Sequence, residues 1–320
     1  MKIGILGAAD IAFRRFLPAL QKCTEFTYAG VASQTPKKAV QFQENFGGLI
    51  YSSYAALLED DSIDIVYVPL PPALHYEWGR RVLQKGKHLI MEKPFTTKLE
   101  QTNRLLELAK EKNLTVYENY MFLCHSQLAK IKGFIADGIL GEIRLYRMAF
   151  GFPKRGIDDF RYHKALGGGA LLDCGGYPVR LALDLLGNAA HIVQAKLIQP
   201  KEYEVDLFGS AVLENNTGQI AQISFGMDNA YQCQLEVWGS TATLIASRIF
   251  TAGAEIKPTL ILRSSSGEKH FNLKEEDQFI ASIQKFKESL FHIQARNQIY
   301  SGIQQQAILI DQIFQWRGTV

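Results

Sequence analysis

Lys2-Ile3-Gly4-Ile5-Leu6-Gly7-Ala8-Ala9-Asp10-Ile11-Ala12 opens the chain, and its reading decides the fold. Residues 2–6 form a short apolar run bounded by a glycine, the pattern of a buried strand; Ile11, Phe16, Leu17 and Leu20 then recur at helical spacing. A strand that must become a helix within a few residues needs small side chains at the turn, and Gly7, Ala8 and Ala9 supply them. Backbone N–H groups at such a helix start attract phosphate. The pattern G-x-A-x-x-A is a weakened form of the G-x-G-x-x-G/A turn of dinucleotide-binding folds, because alanine permits close approach but fewer backbone conformations. Alone it is a weak signal, so the residues that follow decide its weight.

They continue as strand and helix in alternation. A second strand over 26–32 precedes a helix opened by Pro36, with Thr35 as N-cap and Val40, Phe42 and Phe46 on its apolar side. A third strand over 63–68 leaves through Pro69-Leu70-Pro71-Pro72 into a helix carrying His75 and Trp78. The strand over 87–91 ends in Glu92-Lys93-Pro94, a helix over 98–112 starts at Thr97, and a last strand covers 115–118. This alternation predicts a doubly wound parallel sheet. In such sheets ligands bind beyond the carboxyl ends of the strands, so Lys93 is the first candidate to touch a substrate; the competing reading is a solvated strand-end lysine. His75 is either a donor to a phosphate or ribose or a first-turn surface histidine. The second strand ends Val31-Ala32-Ser33-Gln34 with Lys37 and Lys38 just beyond, and no carboxylate stands there to repel a 2′-phosphate. That favours NADP over NAD, although the lysines equally suit a solvated helix face.

Composition bounds the rest. With 320 residues and 47% apolar composition the chain predicts two packed domains, here 1–121 and 122–320. A net charge of +3 with 21% charged residues and no dense basic run argues against nucleic acid as a partner. Cys23, Cys124, Cys174 and Cys233 are far apart and form no C-x-x-C pair, as expected of reduced thiols in the cytoplasm without a metal site. Asp10, Arg14 and Arg15 interrupt the apolar start before a signal peptide forms, and no later run is long enough for a membrane span.

From Gly141 onward the pattern changes to strands over 144–150, 192–197, 210–213, 219–227, 232–238 and 242–245, which predicts an α+β domain on an open, mostly antiparallel sheet. The alternation of Gln222 and Ser224 with Ala221, Ile223 and Phe225 suits an oligomer face or a substrate face. Gly167-Gly168-Gly169 opens a helix on which Asp173, Tyr177 and Arg180 share one face. Asp173 is placed to hold a ribose or sugar hydroxyl and Tyr177 to reach a carbonyl oxygen; the alternative is a buried Asp173–Arg180 pair beside a packed tyrosine. The glycines allow close backbone approach to a ligand. His125 and His163 flank these stretches as pocket residues or as ordinary part-buried histidines. Two terminal helices, through Phe279, Ile283, Phe286 and Leu290 and through Ile303, Ala307, Ile310 and Phe314, read as packing elements.

The Gly7 turn, Glu92-Lys93-Pro94 and Asp173-Cys174-Gly175-Gly176-Tyr177-Pro178 together resemble the glucose-fructose oxidoreductase / inositol dehydrogenase / rhizopine-catabolism (Gfo/Idh/MocA) family of NAD(P)-dependent sugar oxidoreductases, nearly end to end. Ala9-Asp10-Ile11-Ala12 with Arg14-Arg15, Val68-Pro69-Leu70-Pro71, Glu118-Asn119-Tyr120-Met121-Phe122-Leu123, Asp159-Phe160-Arg161-Tyr162 and the segment 167–173 are similar to the bacterial NDP-hexose 3-ketoreductases within it. The resemblance implies NADPH-dependent reduction of the 3-keto group of a nucleotide-linked (dTDP-type) deoxyhexose, with Lys93 and Tyr177 flanking the nicotinamide, a cis Lys93-Pro94 bond, and Asp173 orienting the sugar or the lysine. The rivals are oxidation of a free pyranose or a trans-dihydrodiol by the same residues in reverse, and a non-catalytic NADP-binding sensor. The candidate cofactor contacts are Gly7, Ala8, Ala9, Asp10, Ile11, Arg14 and Arg15 at the first turn, Ser33, Gln34 and Lys38 at the second strand end, Leu70, Pro71 and His75 at the third, and Glu92, Lys93, Asn119, Arg161 and Asp173. The candidate substrate contacts are Lys93, Phe152, Tyr177, Tyr231 and Thr251. Family members bury the open sheet face against a second subunit, which implies a homodimer or homotetramer through the C-terminal sheet. Gln34 stands where NADP-preferring relatives often have arginine.

Overall fold

The computed structural model describes residues 1–316, which form two compact units. The first comprises 1–119 and 279–304, the second 120–278 and the chain from 305.

In the first unit, β1 (Lys2–Leu6), β2 (Thr27–Ala32), β3 (Leu49–Tyr51), β4 (Ile65–Val68), β5 (His88–Met91) and β6 (Val116–Glu118) make a parallel sheet in the order β3-β2-β1-β4-β5-β6. Its connections hold α1 (Leu17–Leu20), α2 (Pro36–Phe46), α3 (Tyr54–Leu58), α4 (His75–Gln84) and α5 (Leu99–Glu111). Sheets of this kind are covered on both faces, which is why the central strands are unbroken apolar runs: all four residues of β4 are buried. Leu6, Val66, Val68, Leu89 and Met91 pack with Leu105 and Leu106 of α5 in one core. Strand order reverses between β1 and β4, so the Gly7 turn and the proline-rich exit after Val68 meet at the point where open sheets part to admit a ligand. Two local readings change. A π-helical turn, Ala12–Phe16, precedes α1, and on α2 the buried residues are Ala39 and Phe42 while Val40 is 43% exposed.

The second unit starts with α6 (Ser126–Ala136) and is built on β7 (Ile143–Phe152), β8 (His191–Ile198), β9 (Phe208–Glu214), β10 (Ile220–Met227), β11 (Gln232–Gly239), β12 (Ala242–Ser247), β13 (Thr259–Ser264) and β14 (Gly267–Asn272). The order is β14-β13-β12-β11-β7-β10-β9-β8, antiparallel throughout except for β7 beside β10. Ala221, Ile223 and Phe225 are buried on the face covered by a π-helical turn, Leu171–Gly175, and the α7 helix (Gly176–Leu186) that continues it. Gln222 and Ser224 lie exposed on the other.

The chain ends in α8 (Gln278–Phe291) and α9 (Ile293–Gln315). A single division at 121/122 does not describe these contacts, because 279–304 clusters with the first unit. Phe286 packs against Phe26 and Tyr117, and Tyr300 and Ile303 belong to the first core. From Ile303 onward the buried positions of α9 are Ile303, Gln306, Leu309 and Ile313, the last three one step round from the predicted Ala307, Ile310 and Phe314, and Phe314 is 44% exposed. Among the described residues no helix is long and apolar enough to cross a membrane.

Candidate active site

The Gly7 turn is shaped for a large ligand group. Gly7 has φ +101°, a conformation that strains any residue with a side chain, and a Cβ there would lie 2.6 Å from the Leu70 Cδ2 methyl group. Ala8 is buried, Ala9 half-buried and Asp10 exposed. Arg14 lies in a surface ion pair with Asp10 at 2.7 Å, and Arg15 is exposed. Beyond β2, Ser33 Oγ accepts from Thr35 N at 3.0 Å and closes a tight turn, with Gln34, Lys37 and Lys38 exposed around it. A cradle that a Cβ would fill, at the switch point of a parallel sheet and with no carboxylate over 31–38, fits a dinucleotide carrying a 2′-phosphate.

Lys93 follows β5, and the residues on both sides of it are anchored. Glu92 Oε1 accepts from Tyr67 Oη and from Asn119 Nδ2, both at 2.7 Å. Burial raises the Glu92 pKa above the usual carboxylate range, against the lowering effect of those two donors and of the Lys93 charge. The Lys93-Pro94 bond is cis. Pro94 O meets His75 Nδ1 at 2.8 Å, and Phe95 N donates to Glu118 Oε1 at 2.7 Å. The half-buried Lys93 is therefore presented by a loop whose neighbours cannot drift.

His75 does not take the place expected of a cofactor contact. It is fully buried, and both ring nitrogens face carbonyl oxygens, Nδ1 that of Pro94 and Nε2 that of Leu70 at 2.7 Å. It joins the exit of β4 to the exit of β5 and has no nitrogen left for a phosphate or ribose.

In the second unit Tyr177 is buried among Tyr120, Phe122, Phe150 and Phe250, with ring centroids 5.3, 5.8, 4.9 and 6.0 Å away. Asp173 is buried and pairs with Arg161, whose Nε donates to Asp173 Oδ2 at 2.7 Å while Nη1 reaches Asp159 Oδ1 at 3.0 Å. Burial opposes the Arg161 charge, but the two carboxylates outweigh it and hold its pKa above the ordinary value. The Arg161 partner comes from outside the helix, from the segment before the glycine run, while Asp173 itself stands in the π-helical turn that precedes α7. The Arg180 guanidinium lies 6.0 Å from the Tyr120 ring. His125 is buried, with Nδ1 accepting from Gln127 N at 3.1 Å.

Three supporting residues escaped the sequence reading. Ser282 of α8 donates to Asn119 Oδ1 at 2.8 Å and meets Tyr117 Oη at 3.0 Å, extending the Glu92–Asn119 network. Gln306 of α9 donates to Gly176 O at 2.9 Å, at the start of α7. Each is a polar residue on an otherwise apolar helical stripe, the one signal that could have marked it. The third is Asp206, whose Oδ2 accepts from Leu171 N at 2.8 Å and so caps the helix that carries Asp173 and Tyr177. The glycine run admits atoms of the chain itself: a Cβ on Gly168 would meet Arg161 O at 2.4 Å, and one on Gly169, at φ +120°, Asp206 Oδ1 at 2.5 Å. Among the described residues no group of His, Cys, Asp and Glu stands ready to hold a metal ion.

Residues 1–120 match the model of the oxidoreductase family with an NAD-binding Rossmann fold, and 128–245 match the GFO/IDH/MocA C-terminal domain. A dTDP-3,4-didehydro-2,6-dideoxy-alpha-D-glucose 3-reductase of Actinomadura kijaniata is 39% identical over 98% of this chain and 94% of its own. The Streptomyces violaceoruber reductase of the same name is 40% identical over 91% and 85%. A crystal structure of an Actinomadura kijaniata 3-ketoreductase with NADP and TDP-benzene superposes with TM-score 0.93 at 38% identity, covering 98% of this chain and 97% of that one. With two family models on its two halves and relatives matched at nearly full length, the chain belongs to the Gfo/Idh/MocA oxidoreductase family.

Proposed function

We propose that the protein reduces the 3-keto group of a dTDP-linked deoxyhexose with NADPH. The observation that carries this reading is the anchored Lys93 strand end in a chain that matches two reductases of that name at 39% and 40% identity. The Gly7 turn and the Ser33-Gln34 exit with Lys38 would hold NADPH, which supplies hydride when bound. The ketone oxygen then develops negative charge and needs a proton, and a positioned acid is worth about 10²–10⁴-fold. Lys93 and Tyr177 are the acid and the clamp. Arg161 and Asp173, locked to each other, orient the sugar hydroxyls. A second reading, NADP-dependent oxidation of a free pyranose, is favoured by a 32% identical D-xylose 1-dehydrogenase of Haloferax volcanii covering 80% of this chain.

The deciding assay follows NADPH oxidation with keto-sugar nucleotides beside NADP reduction with free pyranoses and dihydrodiols. Turnover confined to the free sugars would reverse the proposal, and equal dissociation constants for NADPH and NADH would remove the cofactor preference. Lys93→Met keeps the packing of the stem without the charge, so NADPH binding should survive while turnover falls by about two powers of ten or more. Tyr177→Phe should lose activity as well, and the double variant should fall by less than the product of the single effects if both groups act on one oxygen.

A further inference from the structure

At one end of the second unit's sheet, just beyond the ladder pair Gly151–Gln232, Phe152 closes β7 and Tyr231 immediately precedes β11. Each carries an arginine on its ring. The Arg155 guanidinium carbon is 5.0 Å from the Phe152 centroid, and that of Arg248 is 4.7 Å from the Tyr231 centroid. Arg248 Nη1 donates to Tyr231 Oη at 3.2 Å, and Tyr231 Oη meets Thr251 Oγ1 at 3.0 Å. Surface arginines elsewhere in the chain, such as Arg14, Arg81 and Arg104, pair with a carboxylate. Arg155 and Arg248 are exposed and among the described residues have no such partner. The carboxylate of Asp228 at this end faces Lys154 instead, at 4.0 Å, and Lys154 also donates to Tyr203 Oη.

The backbone here is strained as well. Arg248 at φ +61° and Asp228 at φ +118° are two of the three non-glycine residues with positive φ among those described, and Asp228 N donates to Phe152 O at 3.0 Å. Strain of this kind concentrates where a ligand is gripped. Aromatic steps join the two arginines to Tyr177: the Tyr177 and Phe150 centroids are 4.9 Å apart, those of Phe150 and Phe152 are 6.3 Å apart, and Arg155 lies on Phe152. On the other side Phe250, 6.0 Å from Tyr177, is followed directly by Thr251. In a nucleotide-linked 3-keto sugar the diphosphate sits on C1, across part of the ring from the carbon to be reduced.

We propose that Arg248 and Arg155 clamp the diphosphate of the nucleotide-linked substrate, with Arg248 as the principal arm. This rests on the proposed function, which puts the reacting carbonyl at Tyr177. Guanidinium is planar, permanently charged and suited to two-point binding of phosphate oxygens. Tyr231 and Phe152 hold the guanidinium planes in place before the anion arrives, so less side-chain freedom is lost on binding.

The test is calorimetric titration of the full-length, NADP-loaded protein with dTDP, thymidine and UDP, with melting temperatures as the folding control. Wild type should bind dTDP at least about tenfold more tightly than thymidine, and Arg248→Gln should lose about that factor for dTDP while its thymidine affinity stays put. Arg155→Gln should lose less, Arg248→Lys should recover only part, and the kinetic loss should fall on KM more than on kcat. An Arg248→Gln protein that binds dTDP like wild type overturns the clamp and leaves the proposed function standing. Binding of UDP but not dTDP would break the dTDP reading, and the same arginine-dependent loss with UDP would still uphold the clamp. A wild-type protein that binds no nucleoside diphosphate overturns both.

Discussion

His75 occupies the first turn of α4, yet in space it ties together the two strand exits that frame the first unit's site. Two carbonyl oxygens would suit a doubly protonated ring, but burial is the stronger effect and, with the Lys93 charge, pushes the His75 pKa down to about 4. The unfolded chain therefore takes up a proton below pH 6.5 that the fold refuses until about 4. The stability His75 gives is complete above pH 6.5 and is lost as the pH falls through that window. His75→Phe should lower stability at pH 7 by about 1–3 kcal/mol through an unsatisfied buried carbonyl, and the gap to wild type should narrow on acidification. A gap of equal size at pH 5 and pH 7, measured by denaturant unfolding, would show that the buried ring is not held neutral. Lys93 and Gly7 were legible in the sequence because each sits at the end of an unmistakable strand. The role of His75 was not, since a histidine at a helix start looks alike whether it faces solvent or two buried carbonyls.

For the helix that begins at Leu171, the decisive group is the cap. Burial pushes the Asp206 carboxyl up to about 6 from 3.8, although Leu171 N stabilises the charge. Between those values the folded chain holds a proton that the unfolded chain has released. Stability from this group is thus fullest below pH 4 and declines as the pH rises through 6, at up to about 1.4 kcal/mol per unit. Asp206→Asn keeps an acceptor for Leu171 N with no charge to bury, so its melting temperature should gain on wild type as pH rises from 4 to 7; a constant difference would refute the cap's protonation. The parallel strands could be read because burial on both faces makes them continuous apolar runs. Strands β3 and β14 could not: one has three residues, the other, Gly-Glu-Lys-His-Phe-Asn, is a mostly exposed edge without periodic apolar signal. At Gly168 and Gly169 the close neighbours are backbone and a carboxylate from elsewhere in the same unit, which a run of glycines does not disclose.

At the scale of the whole molecule, the uncovered sheet face exposes Phe208 at 44% and Trp238 at 38% beside Gln222 and Ser224, and holds a cavity of about 300 Å³ lined by Phe208, Ser210, Ser224 and Gln232 among others. Large aromatic side chains on an open face commonly mark association. The expected outcome is a homodimer or homotetramer through this face, whose mass in light scattering should fall on Trp238→Glu; an unaltered mass would place the contact elsewhere. The interrupted course of the first unit has a different consequence, one of timing. Synthesis proceeds from the N-terminus, so Glu92, Lys93 and Asn119 leave the ribosome long before Ser282, which bonds Asn119. Meanwhile the stretch 120–278 is uninterrupted and has most of its own partners as soon as it emerges. A nascent chain must therefore keep its first unit waiting, with the Asn119 and Tyr117 polar groups still wet, until the penultimate helix arrives to shut them in. The order in which the molecule is made is not the order in which its lysine-bearing half can be finished.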